Sequence, residues 1–278
     1  MIRVRSMTAA DLPFGLRLSE AAGWNQLADD WQRFLDLQPD GCFVAEYDGG
    51  AVGTTTTFIF GSVAWIAMVL VEESARGRGV GTALMRHALE FLDGRGIATV
   101  RLDARPMGQP LYERLGFSEQ YRIAHYEGTL PHASEVAGLE PVSIEWREAL
   151  MTLDEEFTRT DRRRLLLRLF VDHPQNVRFV QVGNHVSGYL TSRPGKKTIR
   201  LGPCIVAAGA GPLLLADAWN RHAGLLVSLD VPLPNRAATQ WVESHGLTVQ
   251  HTLTRMCRGV PVCESIESLW LSSGPEKG

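Results

Sequence analysis

Residues 70 to 85 read LVEESARGRGVGTALM, and the middle of that stretch has the residue types and spacing to hold an anion. Gly77, Gly79 and Gly81 alternate with Arg78 and Val80, where Val80, Leu84, Ala88 and Phe91 begin to recur at helical spacing. The first turn of a helix offers backbone N–H groups without intrahelical partners, at the positive end of the helix dipole. Glycines there let a phosphate approach the main chain, and Arg76 and Arg78 add charge-assisted donors. Arg76 to Thr82 therefore reads as a phosphate or pyrophosphate site, with the Thr82 hydroxyl as a further donor. The competing reading is a glycine-rich turn whose arginines point into solvent. Two nucleotide fingerprints fail on spacing: the glycines form GxGxG rather than GxGxxG, and GxxxxGK[ST] does not occur.

Such a loop needs a strand feeding into it. VAWIAMVLV, immediately before, is a nearly continuous apolar run, as expected of a strand buried on both faces. Before it, CFVAEYDGGAVGTTTTFIF reads as a hairpin around Asp48-Gly49-Gly50. After it, the helix is expected to end near Gly94 to Gly96, followed by a strand at ATVRLDA, a short helix QPLYERLGF ending at Gly116, and a strand at SEQYRIAHYEG. This is an α/β unit of about 130 residues.

The same kinds of element return from about residue 142, beginning with a charged helix around LDEEFTRTDRRRLLLRLF; its TDRRRLLLRLF portion reads as a helix with one solvated basic face. VRFVQVGNHVSGYLTS repeats the hairpin signal, with Phe179 falling 136 residues after Phe43 and Gly188 falling 135 after Gly53. NRAATQWVESHGL resembles RPMGQPLYERLGF at an offset of 130, judged from Gly246 and Gly116. Similar offsets at both ends point to a degenerate internal repeat. GTLPHASEVAGLEPVS, rich in Gly, Pro and Ser, reads as the linker.

The 278-residue chain carries a formal charge of −3, so it has no overall basic field for nucleic acid. It has no apolar run of membrane-spanning length, and MIRVRSMTAADLP lacks a secretory h-region, so a cytoplasmic protein that does not contact membrane is expected. Cys42, Cys204, Cys257 and Cys263 are scattered, which predicts buried or free thiols rather than a disulfide framework. The histidines show no HExxH pattern, and His87 reads as a core histidine; no metal is expected.

VLVEESARGRGVGTALM resembles the acyl-CoA signature of the GNAT superfamily of N-acetyltransferases, whose core [RQ]-x-x-G-x-[GA] is matched by Arg76, Gly79 and Gly81. LYERLGF, Leu111 to Phe117, resembles the second family signature, and the order of strand, two helices and three-strand meander is also the family's. The resemblance covers residues 2 to about 128. It implies an α/β fold of two GNAT-like domains, each a mixed, mostly antiparallel twisted sheet flanked by helices: a catalytic domain at 1–130, a linker at 131–141 and a degenerate copy at 142–278.

The resemblance also implies acetyl-CoA as co-substrate. Its pantetheine arm would add to the strand edge at Val69, Leu70 and Val71, and its pyrophosphate would lie on Arg76, Gly77, Arg78, Gly79, Val80, Gly81 and Thr82. Tyr112 matches the tyrosine that in many members protonates the leaving thiolate; its other reading is a helix residue packed beside the sheet. Asp103 is the leading candidate for a base or amine anchor and Glu72 the second, and both also read as solvated or cap-forming acids. The glutamate that some members place within VAWIAMVLV is missing here, which leaves a water relay open.

Other departures concern both halves. Arg105 stands where the family often has an asparagine. In the second half that asparagine is present as Asn235, but Val242 matches Tyr112 and the loop AAGAGPLLL carries no arginine, so this half is expected not to catalyse. Acceptor selection is expected from AAGWNQLADDW, where Trp24, Asn25, Asp29 and Asp30 could suit a cationic amine, or could be a core tryptophan, a turn asparagine and a solvated acidic face. The expected activity is acetyl transfer to a primary amine of a small molecule or peptide, with a homodimer as a candidate assembly. The alternatives are an acyl-CoA sensor without turnover and a structural pseudo-enzyme.

Overall fold

A computed structural model describes residues 1–130, 139–207 and 209–277. The expected linker lies mostly at 131–138, outside the described residues. The chain forms two compact units. The first comprises Met1–Ser118, Met256–Pro261 and Lys277, and the second comprises Glu119–Arg255 and Val262–Glu276.

The first unit runs β1 (Ile2–Ser6), α1 (Leu12–Ala21), α2 (Ala28–Leu37), β2 (Cys42–Tyr47), β3 (Gly50–Phe60), β4 (Val63–Val71), α3 (Val80–Asp93), β5 (Thr99–Ala104) and α4 (Gln109–Arg114). Neighbouring strands β1 to β4 pair antiparallel, while β4 and β5 pair parallel. The hairpin closes as expected, because Asp48 at φ 52° and Gly49 at φ 86° supply the two left-handed residues of a tight turn. The Ala88, Leu84 and Val80 face of α3 packs on Phe43, Ala64, Ile66, Val100 and Leu102 of the sheet. His87 stands edge-on to Phe43 with ring centroids 4.6 Å apart, in keeping with a core role.

The second unit begins with most of β6 (Ser118–Thr129). It continues through α5 (Arg147–Thr158), α6 (Arg163–Asp172), β7 (Val177–Val182), β8 (His185–Pro194), β9 (Ile199–Val206), α7 (Gly211–Arg221), β10 (Leu226–Pro232), α8 (Arg236–Ser244), β11 (Thr248–Arg258) and β12 (Leu269–Leu271). The repeat is visible in matched irregularities. Ala45 pairs with Gly53 beside a register shift, and Val180 pairs with Gly188 beside the same kind of shift. A Cβ on Gly53 would lie 2.8 Å from the Leu70 carbonyl and 3.0 Å from Leu84; on Gly188 it would lie 3.0 Å from the Ile205 carbonyl and 3.1 Å from Leu214. In both units glycine is the residue that lets strand, strand and helix come this close.

In the compact units β6 goes with the second: it pairs with β10 over Leu226↔Thr129 to Pro232↔Ile123, and its Ala124 and Tyr126 belong to the second core. The first unit is completed instead by the end of β11, where Met256 enters the core and the Thr99 hydroxyl donates to the Val260 carbonyl at 3.0 Å. Alternating burial marks a strand and its faces but not its partner. One expectation needs correction: LDEEFTRTDRRRLLLRLF is not one helix. Arg159 at φ 53° ends α5, and Arg162, expected on a solvated face, is buried with Nε 3.0 Å and Nη2 2.5 Å from the Asp154 carboxylate.

Cys42, Cys204 and Cys257 are buried free thiols and Cys263 is an exposed one. Among the described residues no helix is long and apolar enough to cross a membrane, and no cluster of His, Cys, Asp and Glu could hold a metal.

Candidate active site

The site begins with a defect in β4. Thr54 pairs with Leu70 and Thr56 with Ala67, so β4 carries one residue more than β3 across that interval. Met68 takes up the excess at φ 52°. Such a bulge frees carbonyls from the ladder and bends the strand. Here the Thr54 hydroxyl donates to the Met68 carbonyl at 2.9 Å and the Thr55 hydroxyl to that of Ala67 at 3.3 Å. Parallel pairing with β5 covers only Val63↔Thr99 to Trp65↔Arg101, and both strands continue beyond it. Val69, Leu70 and Val71 lie on the continuing end of β4, Leu70 buried and the two valines half-buried.

A short turn at Glu73–Ala75 leads from β4 to the glycine loop. Ala75 and Val80 are buried and anchor its ends, while Arg76 to Gly79 are exposed between them. Gly77 at φ 74° and Gly79 at φ 84° adopt conformations that favour glycine, and Gly79 caps α3. The first intrahelical bond runs from Ala83 N–H to the Gly79 carbonyl at 3.0 Å, which leaves the amides of the opening turn directed out of the helix end. Arg76 Nε donates to the Val71 carbonyl at 3.3 Å, tying that guanidinium to the end of β4. The Arg78 guanidinium lies 5.5 Å from the centroid of the Tyr47 ring. The cradle of free amides and two cations suits a pyrophosphate.

Tyr112 is on α4, its ring laid across Gly108: a Cβ there would be 2.9 Å from Cε2 and 3.3 Å from the hydroxyl. Phe117 holds the ring from another side, edge-on with centroids 6.2 Å apart. Burial pushes the phenol up to about 12, so it is protonated throughout the neutral range. Gly108 was not singled out from sequence, although its position four residues before Tyr112, one helical turn away, was the available signal. Asp103, half-buried, follows the last β4–β5 pair by two residues on β5.

The remaining candidates lie between α1 and α2 or close to β4. Trp24 and Asn25 are half-buried in the connecting loop, where Trp24 N–H donates to the Ser19 carbonyl at 2.9 Å. The neighbour of the Trp24 ring is a cation: the Arg105 guanidinium lies 5.9 Å from its centroid. Asp29 is exposed at the start of α2. Asp30 is occupied structurally, accepting from Leu27 N–H at 3.0 Å, Arg33 Nη1 at 2.7 Å and Lys277 Nζ at 3.3 Å. Glu72 accepts from Arg17 Nη2 at 3.2 Å, a partner sequence reading missed because it lies on α1, far away in the chain.

The second unit repeats this framework without its chemical groups. Ala210 and Gly211 stand at the start of α7, Val242 is fully buried on α8, and Asn235 caps α8 by accepting from Ala238 N–H at 3.1 Å.

A bulged strand followed by a helix that opens at glycine is present in both units. Residues 12–117 match the model of the Acetyltransferase (GNAT) family, and residues 150–270 match that of an Acetyltransferase (GNAT) domain. The chain belongs to the GNAT superfamily and has two GNAT-like domains. Among curated relatives it is similar to N-alpha-acetyltransferase MAK3 of Arabidopsis thaliana, 33% identical over 107 residues, covering 34% of this chain and 54% of that protein. It is also similar to [Ribosomal protein bS18]-alanine N-acetyltransferase of Escherichia coli (strain K12), 26% identical over 154 residues, covering 52% of this chain and 100% of that one. The Arabidopsis match thus spans about half of that relative's length. Among solved structures, a putative acetyltransferase from Pyrococcus horikoshii superposes with a TM-score of 0.86 at 24% identity, covering 100% of this chain and 96% of the other; the likeness is one of fold.

Proposed function

We propose that the first unit transfers an acetyl group from acetyl-CoA to a primary amine on a small molecule or peptide. The observation that carries this reading is the continuity from the Met68 bulge, through the diverging end of β4, into the αL cap at Gly79 and the first turn of α3. An extended pantetheine arm can pair along Val69 to Val71 while the pyrophosphate reaches the free amides of that turn. The named activities of the Arabidopsis and Escherichia coli relatives, both N-acetyltransferases, support the reaction class.

In the proposed reaction the neutral amine attacks the thioester carbonyl, a β4 amide stabilises the developing oxyanion, and the carbon–sulfur bond breaks. Tyr112 gives its proton to the departing sulfur and recovers one from solvent. Asp103 is the carboxylate assigned to the amine side, as anchor or as the base that takes the proton the amine nitrogen loses, directly or through water; Glu72 is second because Arg17 already engages it. Trp24, Asn25 and Asp29 are assigned to the acceptor, and acetyl-CoA to Val69–Val71 and Arg76–Thr82.

Two outcomes follow from these assignments. Arg76→Ala is expected to weaken acetyl-CoA binding by about tenfold, the scale of one charge-assisted contact at an exposed site, with the fold intact by circular dichroism. Unchanged affinity in a calorimetric titration would count against the loop assignment. Tyr112 acts as its protonated form, and burial places its loss of that proton near 12. Turnover should therefore rise with pH as the amine deprotonates and show no descending limb below about pH 10 to 11. A fall in kcat between about pH 8 and 9, with intact protein, would remove Tyr112 as the acid.

A further inference from the structure

In the second unit β9 and β10 pair only at Val227↔Ile199 and Ser228↔Arg200 before they part, much as β4 and β5 part beyond Trp65 and Arg101. The gap is filled by the chain itself. Leu269 and Leu271 of β12 pair antiparallel with Ile205 and Cys204 of β9. On that side Val206 N–H donates to the Ser268 carbonyl at 2.9 Å, and on the other Ser272 N–H donates to the Asp230 carbonyl of β10 at 2.9 Å. Since Gly53 pairs with Val71 and Gly188 with Val206, Ile205 and Val206 are the counterparts of Leu70 and Val71.

The side chains fit the same segment. Trp270 lies so close over Gly211 that a Cβ there would overlap its ring, and Gly211 is the counterpart of Gly81 at the repeat offset of 130. The Ser272 carbonyl lies over Gly202, at φ 116°, where a Cβ would overlap it. Asn235 donates from Nδ2 to the carbonyls of Ile266, Glu267 and Leu269 at 3.1, 3.1 and 3.0 Å. Further on, Arg162 Nη1 donates to the Ser273 hydroxyl at 2.8 Å, and Arg193 Nη2 donates to the Ser273 carbonyl at 2.9 Å and to Glu276 Oε1 at 2.8 Å.

We propose that Ser268–Glu276 is a built-in peptide ligand of the second unit, lying by strand addition in the groove whose counterpart in the first unit runs from Val69 to the start of α3. An added strand satisfies the backbone groups of a diverging pair of strands, and a tethered one does so at high effective concentration. The second unit is then a peptide-holding module that takes no acyl-CoA, and Asn235 serves the peptide. This inference rests on the shared architecture and is independent of the transfer activity proposed for the first unit.

The test is hydrogen exchange read by mass spectrometry on the full chain, with and without saturating acetyl-CoA. The Val206 and Ser272 amides should be protected without ligand, and acetyl-CoA should change exchange in 204–206 and 268–272 by less than about twofold. Gly211→Ala should accelerate both segments together by about tenfold or more. If that variant does not fold, Trp270→Ala removes the same contact from the other side and must give the same coupled loss. The proposal is overturned if 268–272 exchanges as a free tail in the unaltered chain, if acetyl-CoA protects 204–206 while releasing 268–272, or if the variant loosens one segment alone. Exchange at 69–82 in the same data reports on cofactor binding by the first unit, so that reading can fail separately.

Discussion

Tyr112→Phe is expected to lower turnover by about 10²- to 10⁴-fold, the usual contribution of a positioned general acid, while acetyl-CoA affinity stays within about twofold. The ring, which lies on Gly108 and against Phe117, is retained in this variant, so only the proton is lost. Its internal control is Val242→Ala. Val242 is the counterpart of Tyr112 in the second unit and is fully buried, so truncation should cost stability of about 1–3 kcal/mol and leave turnover per folded molecule unchanged. Full activity in Tyr112→Phe would remove the acid role; lost chemistry in a stably folded Val242→Ala would mean the catalytic half had been misassigned.

Asp154→Ala should destabilise the protein by about 3–5 kcal/mol, the range for breaking a buried ion pair from one side. Asp154 and Arg162 are both buried, and Asp154 also accepts from the Tyr189 hydroxyl, itself buried. Burial works against the Arg162 charge, but the neighbouring Asp154 carboxylate outweighs it, and the guanidinium is held above its ordinary value. Removing the carboxylate takes the hydrogen-bonded counter-charge from a buried guanidinium. Denaturant unfolding should show the loss, and acetyl-CoA affinity of the folded fraction should not change, because the residues assigned to the cofactor are in the first unit. A loss below about 1 kcal/mol would contradict the structural role of this pair.

What could be read from sequence is what depends on local chemistry. The turn at Asp48 and Gly49, the helix opened by Gly79 and the short helix stopped at Gly116 each follow from backbone conformations that few residues tolerate. The buried strand Val63–Val71 follows from its unbroken apolar run, but the bulge within it does not. Met68 at φ 52° is held by the Thr54 hydroxyl, 14 residues away, and the neighbouring Ala67 by that of Thr55, and nothing in Met-Val-Leu announces it. Partner choice was also illegible: β6 alternates correctly for a strand of either unit, and only assembly decides which edge it takes.

The candidate site divides along the same line. The helix start behind the arginine-glycine loop and the short helix that carries Tyr112 were legible because a spacing pattern marks them. Gly108 beneath the tyrosine, Arg17 at Glu72 and Arg105 over Trp24 were not, since each is a contact between segments that only the fold brings together. The polar stretch SSGPEKG has the composition of a solvated tail, yet Ser272, Ser273 and Glu276 are buried, because their partners are backbone groups and arginines distant in the chain. Composition reports how well a segment could be solvated, not what it meets.

The most direct measurement is acceptor-dependent thiol release from acetyl-CoA by the full chain, across a panel of small primary amines and peptides with free α-amines, with the acetylated product identified by mass spectrometry. At least one class of amine is expected to release free CoA and acetyl-amine in equal amounts, and Tyr112→Phe to suppress both together. Stoichiometric acetyl-CoA binding with no amine-dependent release from any member of the panel would contradict this, and would make the first unit an acyl-CoA sensor on a GNAT scaffold.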